Sequence, residues 1–425
     1  MKNRILIYII LLIIIGFSIT PVIYAVDKES GCITCHEMMG DDLAKPVELA
    51  PRDLHTKKNL GCSDCHGGNP NTDDFSEAKD ETFLGKPSHA EIPEFCGRCH
   101  SDSSYMKNYN PSMPTDQVAK FQTSFHGQKL VEGDEKVATC VSCHSVHDIQ
   151  PAAEPKSTVN PFNIPATCGK CHNDAAYMEE YGIPTNQLDE YSKSVHGIAL
   201  LEKKDDAAPA CNDCHGNHTA APPEVSMIGY VCGRCHTLTS NYYENSPHKP
   251  VFDDMGFKPC ETCHGNHNIQ PVTNAMLGMV EPAVCTECHS DGDGTPGPET
   301  ARFMSAKLDE LEQKKHDINE VIHKSEMKGI DVEDLQLQIR DVHQVITQSQ
   351  TAVHSFNLET FKSEIDKGFK TVGEVETLAQ KAIDEFRYRQ RGYAIATLTL
   401  TLFCIFIYLK IRQTDADYEK KTKGD

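Results

Sequence analysis

The chain has 425 residues, with 41 Lys and Arg against 62 Asp and Glu and a formal charge of −21. That balance argues against nucleic-acid binding, which needs a basic surface, and fits either solubility or electrostatic selection of a basic partner. With 19 cysteines, 21 histidines, no Trp and 7% aromatic residues, side-chain ligand chemistry rather than large aromatic cores is expected to organise the molecule.

In chain order, Lys2 and Arg4 precede an apolar run from Ile5 to Ile19, and Ala25 stands at a plausible cleavage point. This is the layout of a secretory signal, so residues 1–25 are read as a signal peptide. An uncleaved anchor is the alternative, because the apolar character continues to Val26.

Residues 27–290 repeat the pentad Cys-x-x-Cys-His nine times. The sites are Cys32-Cys35-His36, Cys62-Cys65-His66, Cys96-Cys99-His100, Cys140-Cys143-His144, Cys168-Cys171-His172, Cys211-Cys214-His215, Cys232-Cys235-His236, Cys260-Cys263-His264 and Cys285-Cys288-His289. Each pair of cysteines can form two thioethers to haem vinyls, and the adjacent His can take the iron from the proximal side. A zinc ribbon needs two knuckles per metal and no His in fifth place. A disulfide framework has no use for the His, and a thioredoxin-like site would occur once. Nine covalently attached haem c groups are the expected cofactors.

The pentads come in pairs. Ser124-Phe-His126-Gly127 lies between two of them, Ser194-Val-His196-Gly197 between the next two, and Ser246-Pro-His248 between the two after. The second site of each pair carries a trailing His: His147, His218 and His267. After the second pentad of the chain, Asn69 stands where that His would be. Nine of the 21 histidines belong to pentads and twelve remain, enough for a sixth iron ligand at every haem. The expected distal ligands are His55, His126, His196, His248, His147, His218, His267 and His89, with the ninth from one of His343 and His354. At roughly one haem per 30 residues there is too little protein for ordinary cores, so porphyrin should be the core, wrapped by short helices and loops.

Residues 291–298 are rich in Gly, Pro and Asp and read as a linker. In 299–391, Met304, Leu308, Leu311, Ile318 and Ile322, then Leu335, Ile339, Val342, Ile346, Val353 and Phe356, recur at helical spacing, which predicts two amphipathic helices paired as a hairpin. Residues 393–411 are apolar until Lys410 and long enough to cross a bilayer. The tail, 412–425, is expected on the cytoplasmic side, since haem attachment places the pentads on the translocated side.

Together the pentads, Ser-x-His-Gly and Cys-x-x-Cys-His-x-x-His resemble the multihaem c-type cytochromes, in particular cytochrome c3-like and doubled-motif families. The haem region followed by long helices and a terminal span is similar in outline to the octahaem hydroxylamine-oxidoreductase plan. No Cys-x-x-Cys-Lys site of the ammonia-forming nitrite reductases is present. The resemblance implies a fold that is mainly α with much irregular loop: a multihaem cytochrome c domain, a long helical hairpin and a C-terminal transmembrane helix. It also implies electron transfer at the cytoplasmic membrane, haem domain on the periplasmic side. The partners would be a quinol-oxidising membrane subunit and periplasmic or outer-membrane cytochromes. The alternative is an oxidoreductase acting on a small nitrogen or sulfur compound at one five-coordinate haem, with the Cys32-His36 and Cys62-His66 sites as the places for it. No catalytic residue is assigned.

Overall fold

The computed structural model describes residues 30–223 and 228–422. The expected signal peptide therefore falls outside the described residues. Two compact units are distinguished: one reaches to Pro223 and includes Gly265–Gln270, the other holds the remainder. No strand is present among the described residues.

In the first unit the pentads sit on short helices of two kinds. Ile92–His100 and Ile164–His172 are nine-residue helices that open on Pro93 and Pro165 and end on the pentad His. Proline is tolerated there because its missing N–H would lack a helical partner anyway. Cys62–His66, Cys140–His144 and Cys211–His215 are single turns. The third residue of each turn reaches back to the cap: Asp64 accepts from the Gly61 amide at 2.7 Å, Ser142 from Thr139 at 3.1 Å and Asp213 from Ala210 at 2.8 Å. Directly after the pentad His the chain turns through positive φ, at Gly67 (69°), Ser145 (65°) and Gly216 (84°). Glycine suits two of these places; Ser145 holds the third.

The Ser-x-His-Gly segments are helix starts. The Oγ of Ser124 accepts from the Gly127 amide and that of Ser194 from the Gly197 amide, both at 3.0 Å. The glycine is required by a close approach: a Cβ on Gly127 would lie 1.9 Å from the Phe121 carbonyl oxygen, and one on Gly197 the same distance from that of Tyr191. Gly127→Ala is therefore expected to push the helix Phe125–Val131 off its neighbour at a cost of about 1–3 kcal/mol, read as a lowered denaturation midpoint, whereas Ala at Val131, 81% exposed at the end of the same helix, stays near the wild type.

One backbone bond recurs between successive pairs of sites. Leu54 donates to the Ile149 carbonyl at 2.7 Å, Phe125 to Ala220 at 3.0 Å and Val195 to Ile269 at 2.9 Å. In each, the donor precedes the His between two pentads, and the acceptor stands two residues after the trailing His of the next pair.

The second unit carries three long helices where a hairpin of two was expected. They are α1 (Gly297–Glu326), α2 (Glu333–Ala352) and α3 (Leu358–Thr422), each packed on the other two. Gly329, at φ 75°, ends the first turn-round, and Asp331 accepts from the Glu333 amide at the start of α2. The apolar spacing continues through Val353 and Phe356, but Phe356 adopts φ 47° and Asn357 accepts from the Glu359 and Thr360 amides, so the chain breaks and restarts. Met304, Leu308, Leu311, Val342, Ile346, Phe361, Ile365 and Val372 fill the core between the three helices. α1 begins inside the expected linker, at Gly297. The turn before it is built rather than free: Gly292 and Gly294 adopt φ near 80°, and Asp293 accepts from the Thr295 amide.

At 65 residues α3 is about 97 Å long. Its first part packs in the bundle; beyond residue 386 every described side chain through 420 is exposed. It is the one described helix long and apolar enough to cross a membrane, and its apolar window has no part buried.

Candidate haem-binding sites

Seven pentad histidines face an imidazole from elsewhere in the chain. The ring centroids are 6.0 Å apart for His100–His55, 6.1 Å for His66–His147, 6.2 Å for His172–His126, 6.1 Å for His144–His218 and 5.9 Å for His215–His267. In the second unit they are 6.0 Å for His289–His248 and 5.9 Å for His264–His354. Two imidazoles in direct contact would stand closer. An iron between two ring nitrogens sets centroids about 6 Å apart, from metal–nitrogen bonds of about 2 Å and roughly 1 Å from nitrogen to ring centre.

The second ring nitrogen is occupied in a way that leaves Nε2 for a metal. Nδ1 pairs with the Leu43 carbonyl at His36 (3.0 Å), Gly85 at His66 (2.8 Å), Ala221 at His215 (3.1 Å) and Thr351 at His354 (3.1 Å). At His55 it pairs with Asp53 (2.9 Å) and at His289 with Asp293 (2.8 Å). Such bonds fix the tautomer and aim of a metal-binding imidazole. Burial alone would raise the Asp53 carboxyl, but hydrogen bonds from His55 and the Ile149 amide outweigh it and hold it below the usual range. The Thr295 amide and His289 hold the Asp293 carboxyl down at about 2. Both acceptors thus stay ionised. Desolvation pushes His126, His144, His172, His218, His264 and His354 below the ordinary histidine value, which keeps the lone pair free. His248 carries a buried Nδ1 with no hydrogen-bond partner among the described residues, a nitrogen that calls for a ligand.

A family model described as cytochrome c3 matches residues 54–173, which hold four pentads and start one residue before His55. A second, the doubled CXXCH motif, matches 248–294, with two pentads and His248 at its first position. The chain is a multihaem c-type cytochrome. The hydroxylamine-oxidoreductase likeness is not among these matches. No curated protein and no solved structure matches.

The cytochrome pairs its histidines by exchange, which the sequence did not disclose. His55 and His126 precede the second pentad of their own pair yet face the first pentad of the next; His147, His218 and His267 trail a second pentad yet face the second pentad of the pair before. The recurring backbone bond ties each crossing together. In the second unit His248 follows the first rule, towards His289, and the short turn Val353–Ser355 after α2 supplies the missing trailing residue: His354 faces His264, and Phe356 packs on His248 with centroids 4.0 Å apart. Pro247, which has no N–H, stands where the other crossings have their donor. His196 is held as His126 is, by Ser194 and by the Val195–Ile269 bond. His236 caps the helix Thr237–Glu244.

Two further candidates are placed otherwise. His343 is exposed on α2 and faces no pentad among the described residues. The Nε2 of His89 bonds the Val137 carbonyl at 2.8 Å. Opposite His36 no imidazole stands at this spacing among the described residues. The Cys62-His66 site does face one, His147, so Asn69 leaves no gap there.

Within each unit, neighbouring sites follow chain order. The first cysteines of a pair touch: Cys96 with Cys140, Cys168 with Cys211 and, in the second unit, Cys232 with Cys260. Cys32 and Cys62 lie within electrostatic reach. Successive pairs approach through other cysteines: Cys65 near Cys99, Cys143 near Cys168 and Cys171, and Cys263 near Cys285 and Cys288.

Proposed function

We propose that this cytochrome carries nine haem c groups, one per pentad, and works as an electron-transfer protein held in the cytoplasmic membrane by α3, with its haem region on the periplasmic side. It would pass electrons between a quinol-oxidising membrane partner and periplasmic or outer-surface redox proteins. The observation that carries this reading is the set of seven histidine pairs at iron-spanning distance, each joining a pentad to a residue elsewhere in the chain. Haem c, once bound, supplies a reversible one-electron iron couple whose potential depends on axial ligand and burial. The chain's part is to place the sites in sequence and to close both faces of most of them with imidazole. With haem bound, the facing imidazoles would hold both sides of the iron at those sites and leave no room for substrate, which favours conduction over catalysis.

Haem counting tests the reading. Protein from a maturation-competent host should give nine haems per chain by pyridine haemochrome and intact mass; a colourless product, or far fewer haems, would end it. A chain stopped after Gly392 is expected to be recovered without detergent and with the same haem content, while the full chain partitions with the membrane. Equal partitioning of the two would remove α3 as anchor.

A further inference from the structure

Two places before the histidine that lies between two pentads, the repeat sets one short polar residue. It is Ser124 before His126, Ser194 before His196 and Ser246 before His248, but Asp53 before His55. All four are buried, Asp53 at 5% exposure. Ser124 and Ser194 spend their hydroxyls on the backbone: each Oγ donates to a carbonyl at 2.6 Å, that of Phe121 or Tyr191, and accepts the cap amide. Asp53 is aimed at the ring instead. Its Oδ1 accepts from His55 Nδ1 at 2.9 Å and from the His55 amide at 2.7 Å, and its Oδ2 accepts from the Ile149 amide at 2.8 Å. A carboxylate has no proton to give, so Nδ1 carries the hydrogen and Nε2 is left for iron.

From this we propose that Asp53 sets the midpoint potential of the haem at the Cys96-Cys99-His100 site, which His55 faces at 6.0 Å, and holds it low. The proposal rests on haem being carried at that pentad, as read above. A carboxylate behind an axial imidazole makes the imidazole a stronger donor, which favours ferric over ferrous iron. A buried negative charge close to the iron acts in the same direction, because little water screens it. No such charge stands two places before His126, where the residue is Ser124. The site also lies where the first pair meets the second: Cys65 approaches Cys99, and Cys96 touches Cys140. Electrons moving between the first two sites and the later ones therefore cross a haem that is harder to reduce than a serine-backed one, and Asp53 divides the array at that point.

A potentiometric titration of the full chain, followed by EPR of the low-spin ferric signals, decides this. The haem is identified by His55→Ala, in which its low-spin signal disappears. Asp53→Asn keeps an oxygen for Nδ1 and removes the charge. In that variant the identified signal should stay low-spin, and its ferric-to-ferrous ratio at fixed potential should fall about tenfold, a rise of about 59 mV for one electron. The other midpoints should hold. If Asp53→Asn fails to assemble, Asp53→Ser, which installs the residue of the other copies, is read in the same way. An unmoved midpoint would overturn the proposal, and so would an equal rise at every haem. Conversion of the identified haem to high spin would overturn it too, since Asp53 would then only hold His55 in place. A wild-type haem count that does not fall when Cys96 and Cys99 are both replaced by alanine would instead count against the parent reading, so the two failures are distinct.

Discussion

Replacing His126 by alanine is expected to convert one haem from low to high spin, and that haem should be the one held by Cys168, Cys171 and His172. The nearest following pentad, Cys140 to His144, should be untouched. The reason is geometric. His126 faces His172 at 6.2 Å, while His144 faces His218. Alanine removes the nitrogen and leaves the helix cap, because Ser124 still accepts from Gly127. The measurement is EPR of the oxidised protein, repeated on His126→Ala combined with loss of Cys168 and Cys171, which should erase the new signal. A new signal that survives that combination but disappears with Cys140 and Cys143 would mean that ligands do not cross between pairs. His343→Ala, on an exposed face, serves as the control and should change no haem.

Phe361→Ala should cost about 3–5 kcal/mol, since the ring is wholly buried between the three long helices and lies edge-on to Phe303. The loss should not stay in the bundle. α2 and α3 meet at 353–357, the segment that holds His354 against His264 and Phe356 against His248. As the bundle loosens, His354 withdraws. A urea titration followed both by helicity and by the fraction of high-spin haem should show both midpoints falling together in the variant. A helical midpoint that falls while the spin transition stays put would show that the haem region holds His354 without the bundle.

The composition of the sites was legible in the chain because covalent attachment needs a short fixed spacing, and a five-residue pattern such as Cys-x-x-Cys-His survives any arrangement of the fold. The Ser-x-His and trailing positions were legible as repeats for the same reason. What their spacing could not disclose is the partner of each. His147 stands three residues beyond His144, yet it faces His66, 81 positions back, because a single helical turn followed by positive φ at Ser145 sends the chain away from its own site. The carbonyls that orient the imidazoles, from Leu43, Gly85, Ala221 and Thr351, belong to residues whose side chains carry no such signal. Asp53 and Asp293 could have been suspected from their place near a histidine. The third long helix was also within reach: Ser-Phe-Asn before an acidic residue is a helix-start signature, overridden here by an unbroken apolar rhythm.

The number of pentads, their order, the long apolar C-terminal segment and the amphipathic character of the helices are thus written in local spacing, because each depends on residues a few positions apart. Tertiary structure alone decides which imidazole crosses to which site, that the turn after α2 brings His354 to His264, and that no imidazole stands opposite His36 among the described residues. The physical reason is that a facing pair of imidazoles joins residues far apart in the chain. Its members are brought together by long-range backbone bonds and buried apolar contacts, whose partners no local pattern names.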